Sequence, residues 1–258
     1  MTKISAVIIT KNEENKIMAC LDSVKKFVDE VIIVDDLSSD NTVTISQSFG
    51  AKVVISDSKG KEFAQQRNIG IDNASGDWIV QMDADEVIPL ATASKIKDAI
   101  NSPGDHVAFE IRRQNFFLGH PIRYCGNYGF CLKIFKKGYG RYNGNIHEKL
   151  SIDGKIGKID ADINHYPFNS IYQFIERMNR YTESESVNFT SDPNINLKRI
   201  KYELTIKSLK KFWKLYIRKK GYKDGMYGFI WCVLNVIGPQ VRWIKIWEKT
   251  RDDCRYNQ

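Results

Sequence analysis

The chain has 258 residues, of which 42% are hydrophobic, 27% charged and 12% aromatic, a make-up that excludes a disordered chain and leaves apolar surface for a sizeable core. Five cysteines (Cys20, Cys125, Cys131, Cys232 and Cys254) form no C-x-x-C pair, so neither a zinc site nor a disulfide framework is suggested, and reduced thiols in a cytosolic protein are expected. The net charge of +8 is local: eleven Lys/Arg and one acid, Glu203, fall between Lys198 and Lys223, and the rest is near neutral.

Ile4 to Thr10 reads as a buried strand that begins almost at the N-terminus, so no secretion signal is expected. Lys11-Asn-Glu-Glu14 follows, then a helix with Ile17, Leu21, Val24 and Val28 on one stripe. Val31 to Val34 is a second buried strand ending in Asp35-Asp36, and Ser38 to Asn41 offers capping residues for a short helix that stops at Gly50. Lys52 to Ile55 is a third strand, Glu62 to Ala74 a helix stopped by Gly76, and Trp78 to Met82 a fourth strand that opens into Asp83, Asp85 and Glu86. Strands alternating with helices at this spacing predict a parallel, doubly wound sheet, which binds ligands beyond the carboxyl ends of its strands.

That rule gathers the acids. Asn12-Glu13, Asp35-Asp36 and Asp83-Ala-Asp85 each follow a predicted strand, so three acidic turns converge on one rim. Two carboxylates one residue apart can hold a hard divalent cation, and a cation with open positions goes on to bind phosphate. No G-x-G-x-x-G or G-x-x-x-x-G-K-[ST] follows the first strand, which argues against a dinucleotide site or a P-loop kinase.

Beyond a weak helix from Ala91 to Ile100 the pattern changes class. Val107 to Arg113 alternates as a half-exposed strand, Phe130 to Phe135 is another, Gly138-Tyr-Gly140 is a turn, and Lys149 to Ile159 reads as a hairpin around Asp153-Gly154. Ser170 to Gln173 has the capping-box pattern, and Ile171, Phe174, Ile175, Met178 and Tyr181 make a helical stripe, which places a boundary near residue 168. In the basic tail, Tyr202, Ile206, Leu209, Trp213, Tyr216 and Ile217 share one helical face, opposite Lys207, Lys210, Lys211, Lys214 and Arg218. That pattern fits either a helix lying in a membrane interface or one packed on its own domain with a solvated basic face. Met226 to Ile237 is apolar but is interrupted by Asn235 and ended by Gly238-Pro239, short of the ~20 residues that span a bilayer.

Four stretches together resemble glycosyltransferase family 2, the inverting nucleotide-sugar enzymes of the GT-A fold: Val7 to Glu13, Val31 to Asp36 with Ser38-Ser-Asp40, Gln66-Arg-Asn-Ile-Gly70, and Trp78 to Glu86. Phe117-Leu-Gly119, Ile146-His-Glu148 and Gly221 to Gly225 are similar to the branch that includes lipopolysaccharide-core β-glucosyltransferases. The resemblance implies an α/β, Rossmann-like GT-A fold with a mixed sheet and an amphipathic helical C-terminal region. With the boundary near 168, the chain divides into a catalytic domain over 1–168, with a nucleotide-sugar half (1–100) and an acceptor half (101–168), and a helical, basic region over 169–258 that either associates with a membrane or packs on the domain. The resemblance also implies that Thr10, Asn12, Glu13, Asp36, Arg67, Asp83 and Ala84 contact the nucleotide sugar. Asp83 and Asp85, with His165 as a third ligand, would hold Mn²⁺ or Mg²⁺ on the pyrophosphate. Inverting transfer also needs a carboxylate on the acceptor side that is not bound to metal; the resemblance points to Glu148, with His147 beside it as runner-up.

The function this implies is metal-dependent inverting transfer of a sugar from a UDP-glucose-like donor to a lipopolysaccharide-core or other lipid-linked glycan, at the cytosolic face of an anionic inner membrane. A nucleic-acid-binding protein is the rival reading of the basic aromatic tail, and the acidic rim argues against it. A sugar-binding protein that keeps the fold without turnover is the other, and intact Asp83 and Asp85 weigh against it.

Overall fold

The computed structural model describes residues 2–57, 63–126, 128–144, 148–189 and 195–253. It divides into two compact units, one formed by residues 1–114 and 129–165, the other by 115–128 and 166–258. Residues 115–128, placed by sequence in the acceptor half, therefore belong with the helical C-terminal unit.

In the first unit the strands are β1 (Ile4–Thr10), β2 (Glu30–Asp35), β3 (Lys52–Ile55), β4 (Trp78–Asp83), β5 (Glu86–Val87), β6 (His106–Phe117, to residue 114), β8 (Gly129–Lys136) and β11 (Lys155–Phe168, to residue 165), in the order β3-β2-β1-β4-β8-β6-β11-β5. β3, β2, β1 and β4 are parallel, and β8 joins β4 antiparallel. The switch from parallel to antiparallel falls where the sequence changes from buried apolar runs to alternation. Helices α1 (Ile17–Val24), α2 (Thr42–Ser48), α3 (Phe63–Asn73) and α4 (Leu90–Asn101) complete the layer structure.

The continuous apolar runs have a simple cause, since both faces of the parallel strands are covered. Ala6 and Ile8 of β1 enter a core with Leu21 of α1 and Ile96 of α4, whereas Val7 between them enters a second core with Ile71 and Ala64 of α3. α3 lies so close on β1 that a Cβ at Gly70 would sit 2.2 Å from Val7 Cγ1. Gly70 therefore sets the depth of α3, and Arg67, three residues earlier on the same face, is carried inward with it.

The expected hairpin over 149–159 is corrected. Gly154 does turn the chain, with φ of +142°, but β10 (Lys149–Ile152) pairs antiparallel with β9 (Gly140–Asn143), while β11 leaves for the large sheet. A side chain at Gly154 would collide with Val107 of β6, so the turn is pressed onto the large sheet and the strands part there.

The second unit is mostly helical. β7 (His120–Ile122) folds back on Asn115–Phe117, followed later by α5 (Ile171–Phe189), α6 (Leu197–Tyr202), α7 (Ser208–Trp213) and α8 (Gly225–Asp253). Its core joins Phe117, Ile122, Cys125, Trp231, Cys232 and Leu234. The buried Asp224 carboxylate accepts the Arg123 and Tyr124 amides at 3.3 and 3.0 Å, which fastens the 115–128 loop to the 3₁₀ turn Gly221–Asp224.

Two expectations change here. Gly238-Pro239 does not end the apolar helix, because α8 runs 29 residues with Pro239 inside it. Buried Trp231 and Leu234 before the proline and Trp243 and Ile246 after it anchor both halves, and that packing outweighs the ~3 kcal/mol a proline costs in a helix interior. In α5, Ile171, Phe174 and Met178 are half-buried, but Ile175 and Tyr181 are exposed and Thr182 and Ser186 are buried instead. Among the described residues no helix is long and apolar enough to cross a membrane.

Candidate active site

The three acidic turns lie side by side, as strand adjacency requires: Thr10 is in register with Asp35, and Ile9 with Asp83. At the first two turns most polar groups are used to build the loops. Asp35 is the hub, accepting from the Thr10 hydroxyl at 2.8 Å, the Ser38 amide at 2.8 Å and the Ser38 hydroxyl at 2.6 Å. Asn12, at φ of +54°, exchanges backbone and side-chain hydrogen bonds with Ser38 and Ser39. Glu13 donates its amide to Thr42 Oγ1 and lies 3.5 Å from Lys16 Nζ. Thr10, Asn12 and Glu13 thus bring backbone and shape to the rim, while Asp36, 1% exposed, sets its carboxylate 2.8 Å from Lys11 Nζ.

At the third turn the structure assembles a buried charge cluster. Asp83 Oδ1 accepts from Arg67 Nη2 at 2.8 Å and Oδ2 from Lys133 Nζ at 3.0 Å. Lys133 reaches Glu86 Oε2 at 2.8 Å, and the same oxygen accepts the Asp83 amide at 3.0 Å. Arg67 Nε donates to Glu148 Oε1 at 3.0 Å, and its guanidinium lies over the Tyr142 ring, 5.3 Å from the centroid. Ala84 is buried between the two aspartates. His147 lies outside the described residues.

Lys133 is the functional candidate that sequence reasoning missed. Phe109 of β6 pairs with Ile134 of β8 and the next residue, Glu110, pairs with Leu132, so Lys133 is the extra residue of a β-bulge. A bulge breaks the alternation of faces and re-aims a side chain. Here it turns a lysine inward to 6% exposure, and nothing in the local pattern announces it.

The cluster sets its own protonation. Burial alone would raise the Asp83 carboxyl, but Arg67 and Lys133 hold it far below the usual carboxylate range. Burial and then the neighbouring Asp83 push Glu86 above that range, against the pull of Lys133. Burial would lower Lys133 and Arg67, yet the carboxylates facing them keep both above their usual values.

The three expected metal ligands do not gather as one set. Among the described residues no cluster of three or more His, Cys, Asp or Glu is placed to hold a metal ion, and both Asp83 oxygens face cations. The structure instead brings together a pair: the register of β5 on β11 sets His165 opposite Glu86, which leaves His165 Nε2 3.3 Å from Asp85 Oδ1. Burial opposes ionisation of Asp85, and the His165 contact overrides it, so its carboxyl lies below the usual range. A carboxylate oxygen and an imidazole nitrogen fit a divalent cation as a two-donor half-site that leaves positions open for phosphate oxygens.

Residues 5–150 match the model of glycosyl transferase family 2. The chain belongs to that family. This family 2 glycosyltransferase has parallel strands continued by antiparallel ones. It is 26% identical over 261 residues to an uncharacterised glycosyltransferase of Rickettsia typhi, covering 96% of this chain and 88% of that one. It is 23% identical over 268 residues to a lipopolysaccharide core biosynthesis glycosyltransferase of Rhizobium meliloti, covering 98% and 95%. One solved structure of glucosyl-3-phosphoglycerate synthase from Mycobacterium tuberculosis, in complex with phosphoglyceric acid, aligns over 44% of each chain at 22% identity and a TM-score of 0.38, so the match spans less than half of that protein. Another, holding Mn²⁺, UDP and glucosyl-3-phosphoglycerate, aligns over 69% of this chain and 76% of that one at 17% identity and a TM-score of 0.48.

Proposed function

We propose that this family 2 glycosyltransferase performs metal-dependent inverting transfer from a UDP-hexose, UDP-glucose or a close relative, to a lipid-linked or lipopolysaccharide-core glycan. The observation that carries the reading is the convergence of Arg67, Asp83 and Glu148 through one guanidinium on the rim that also carries Asp36 and the Asp85–His165 pair. Asp36 serves as a hydrogen-bond acceptor for base or ribose. Arg67 provides positive charge for the diphosphate. Asp85 and His165 would hold Mn²⁺ or Mg²⁺, whose contribution is to neutralise charge on the departing diphosphate. Asp83, fixed between Arg67 and Lys133, orients the sugar or ribose side of the donor.

In the reaction the acceptor hydroxyl oxygen bonds to the anomeric carbon from the face opposite the diphosphate. The anomeric C–O bond breaks, its electron pair leaves with the nucleoside diphosphate, and the hydroxyl proton passes to Glu148. The 23% identical relative is named for lipopolysaccharide core biosynthesis, which supports a surface-glycan acceptor. The second unit supports an acceptor presented by a membrane: Tyr202, Ile206, Leu209, Trp213 and Ile217 are all exposed beside Lys210 and Lys214, the composition of an interfacial helix on anionic lipid. A peripheral position on the cytosolic face of the inner membrane follows from that reading.

Glu148→Gln keeps shape and hydrogen bonding but removes basicity. Transfer from a UDP-hexose in Mn²⁺ is expected to fall ~10²- to 10⁴-fold while UDP affinity is preserved. Near-normal turnover of that variant at saturating acceptor would contradict the assignment.

A further inference from the structure

Among the buried polar atoms of the site that make no hydrogen bond to the described residues are Arg67 Nη1 and Glu148 Oε2. They belong to the two side chains already joined by Arg67 Nε and Glu148 Oε1. Leaving a buried donor and a buried acceptor unpaired costs free energy, so each calls for a water, an ion or a ligand as partner. Nη1 can only donate, so it calls for an anionic or carbonyl oxygen. Oε2 of a carboxylate can only accept, so it calls for a hydroxyl or amine. Those are the two reactants of glycosyl transfer, one on each side of a single planar fork.

The fork is held rigidly. α3 is fixed against β1 by Gly70, the guanidinium lies over Tyr142, and Tyr142 is pinned by paired hydrogen bonds between its backbone and the Asn68 side chain at 2.9 and 3.0 Å. Nη2 is anchored on Asp83. With three corners set, the direction of the remaining nitrogen and the rotamer of Glu148 are no longer independent.

We propose that Arg67 is the positioning residue for the base: Nε clamps Glu148 Oε1 so that Oε2 is presented to the acceptor hydroxyl, while Nη1 takes an oxygen of the donor's diphosphate. This rests on Glu148 being the base. Donor phosphate and base geometry are then coupled through one side chain, and a lysine, with its single nitrogen on a flexible stem, cannot replace it.

The test measures UDP release from a panel of UDP-hexoses in Mn²⁺, with water as acceptor, for wild type, Arg67→Lys, Arg67→Met, Glu148→Gln and the Arg67→Met/Glu148→Gln double variant. UDP affinity is measured by calorimetry and melting temperature records folding. Arg67→Lys keeps a cation beside Asp83, so it is expected to bind UDP within about tenfold of wild type yet turn over as slowly as Arg67→Met. The double variant is expected to be within about threefold of Glu148→Gln alone, since residues acting as one unit are not additive. Losses that multiply, or an Arg67→Lys enzyme with near-normal kcat, overturn the positioning role while leaving the base in place. A Glu148→Gln enzyme of normal rate, or a wild type that releases no UDP from any UDP-hexose, overturns the proposed reaction and this inference with it.

Discussion

The two units distribute polarity in opposite ways. In the first, charge is taken inside: Arg67, Lys133 and Glu86 are 8%, 6% and 0% exposed. In the second, one set of large apolar residues of the basic tail lies outside, with Leu209 at 72% and Trp213 at 57%, while Ile200, Phe212, Leu215 and Tyr216 pack inward. Each arrangement is unfavourable for a protein that only has to fold, since buried ions lose hydration and exposed aromatics gain an unfavourable water interface. The first is what a site needs to aim fixed charges at a reacting anion; the second is what a surface needs to enter an apolar phase.

Breaking the buried network is expected to have the largest effect on stability. Lys133→Met strands Asp83 Oδ2 and Glu86, and loss of one partner of a buried pair costs about 3–5 kcal/mol, to be read from denaturant midpoints. The deficit is expected to shrink as pH falls. Glu86 already has its carboxyl above the usual range, so its protonated form is the one the fold favours, and its contribution is present at low pH and lost as pH rises through its folded value. Adding Glu86→Gln to Lys133→Met is expected to recover part of the loss at neutral pH. An equal deficit at all pH values would mean that Lys133 matters for packing rather than charge.

The exposed face gives the next effect. Replacing Lys210, Lys211 and Lys214 by Glu is expected to weaken binding to vesicles rich in anionic lipid by at least ~100-fold, at ~1 kcal/mol per basic residue near the surface, with the wild-type affinity falling as salt is added. Unchanged partitioning in a vesicle sedimentation assay would favour a tail that merely packs on its own unit.

The smallest effect sharpens the comparison from within the first unit. Glu30 gathers the Ser5 hydroxyl, the Ser75 amide and hydroxyl, and the Gly76 amide. Burial would raise its carboxyl, but these donors hold it below the usual range. Glu30→Gln is expected to cost about 1–2 kcal/mol at neutral pH. The wild-type contribution is present above the ordinary carboxylate range and fades as pH falls through the lowered folded value, so the two proteins should converge in acid.

What could be read in advance follows from period and strand adjacency. β1, β2 and β4 are apolar runs bounded by turn residues, and once they are parallel neighbours the acids after them must meet on one rim. Long-range register was not legible. That Asp35 ties the second turn depends on Thr10 and Ser38 arriving from different loops; that Lys133 points inward depends on a bulge in the pairing with β6; that β10 and β11 separate depends on Val107 beneath Gly154. Of the tail's expected apolar face, Tyr202, Ile206, Leu209, Trp213 and Ile217 are exposed but Tyr216 packs into the core with Phe212, and Pro239 does not stop α8 because the packing of Trp231 and Trp243 around it is a tertiary effect.

If, as proposed, the rim binds a nucleoside diphosphate through a cation held by Asp85 and His165, metal and nucleotide must stabilise the fold only together, which a melting series reads. UDP at about 100 times its Kd with Mn²⁺ should stabilise the wild type by ~2.7 kcal/mol, a rise in Tm of roughly 5 to 10 °C. Neither UDP nor Mn²⁺ alone, nor the two together on Asp85→Ala, should produce that rise. An equal rise without metal, or in the Asp85→Ala protein, would contradict the account.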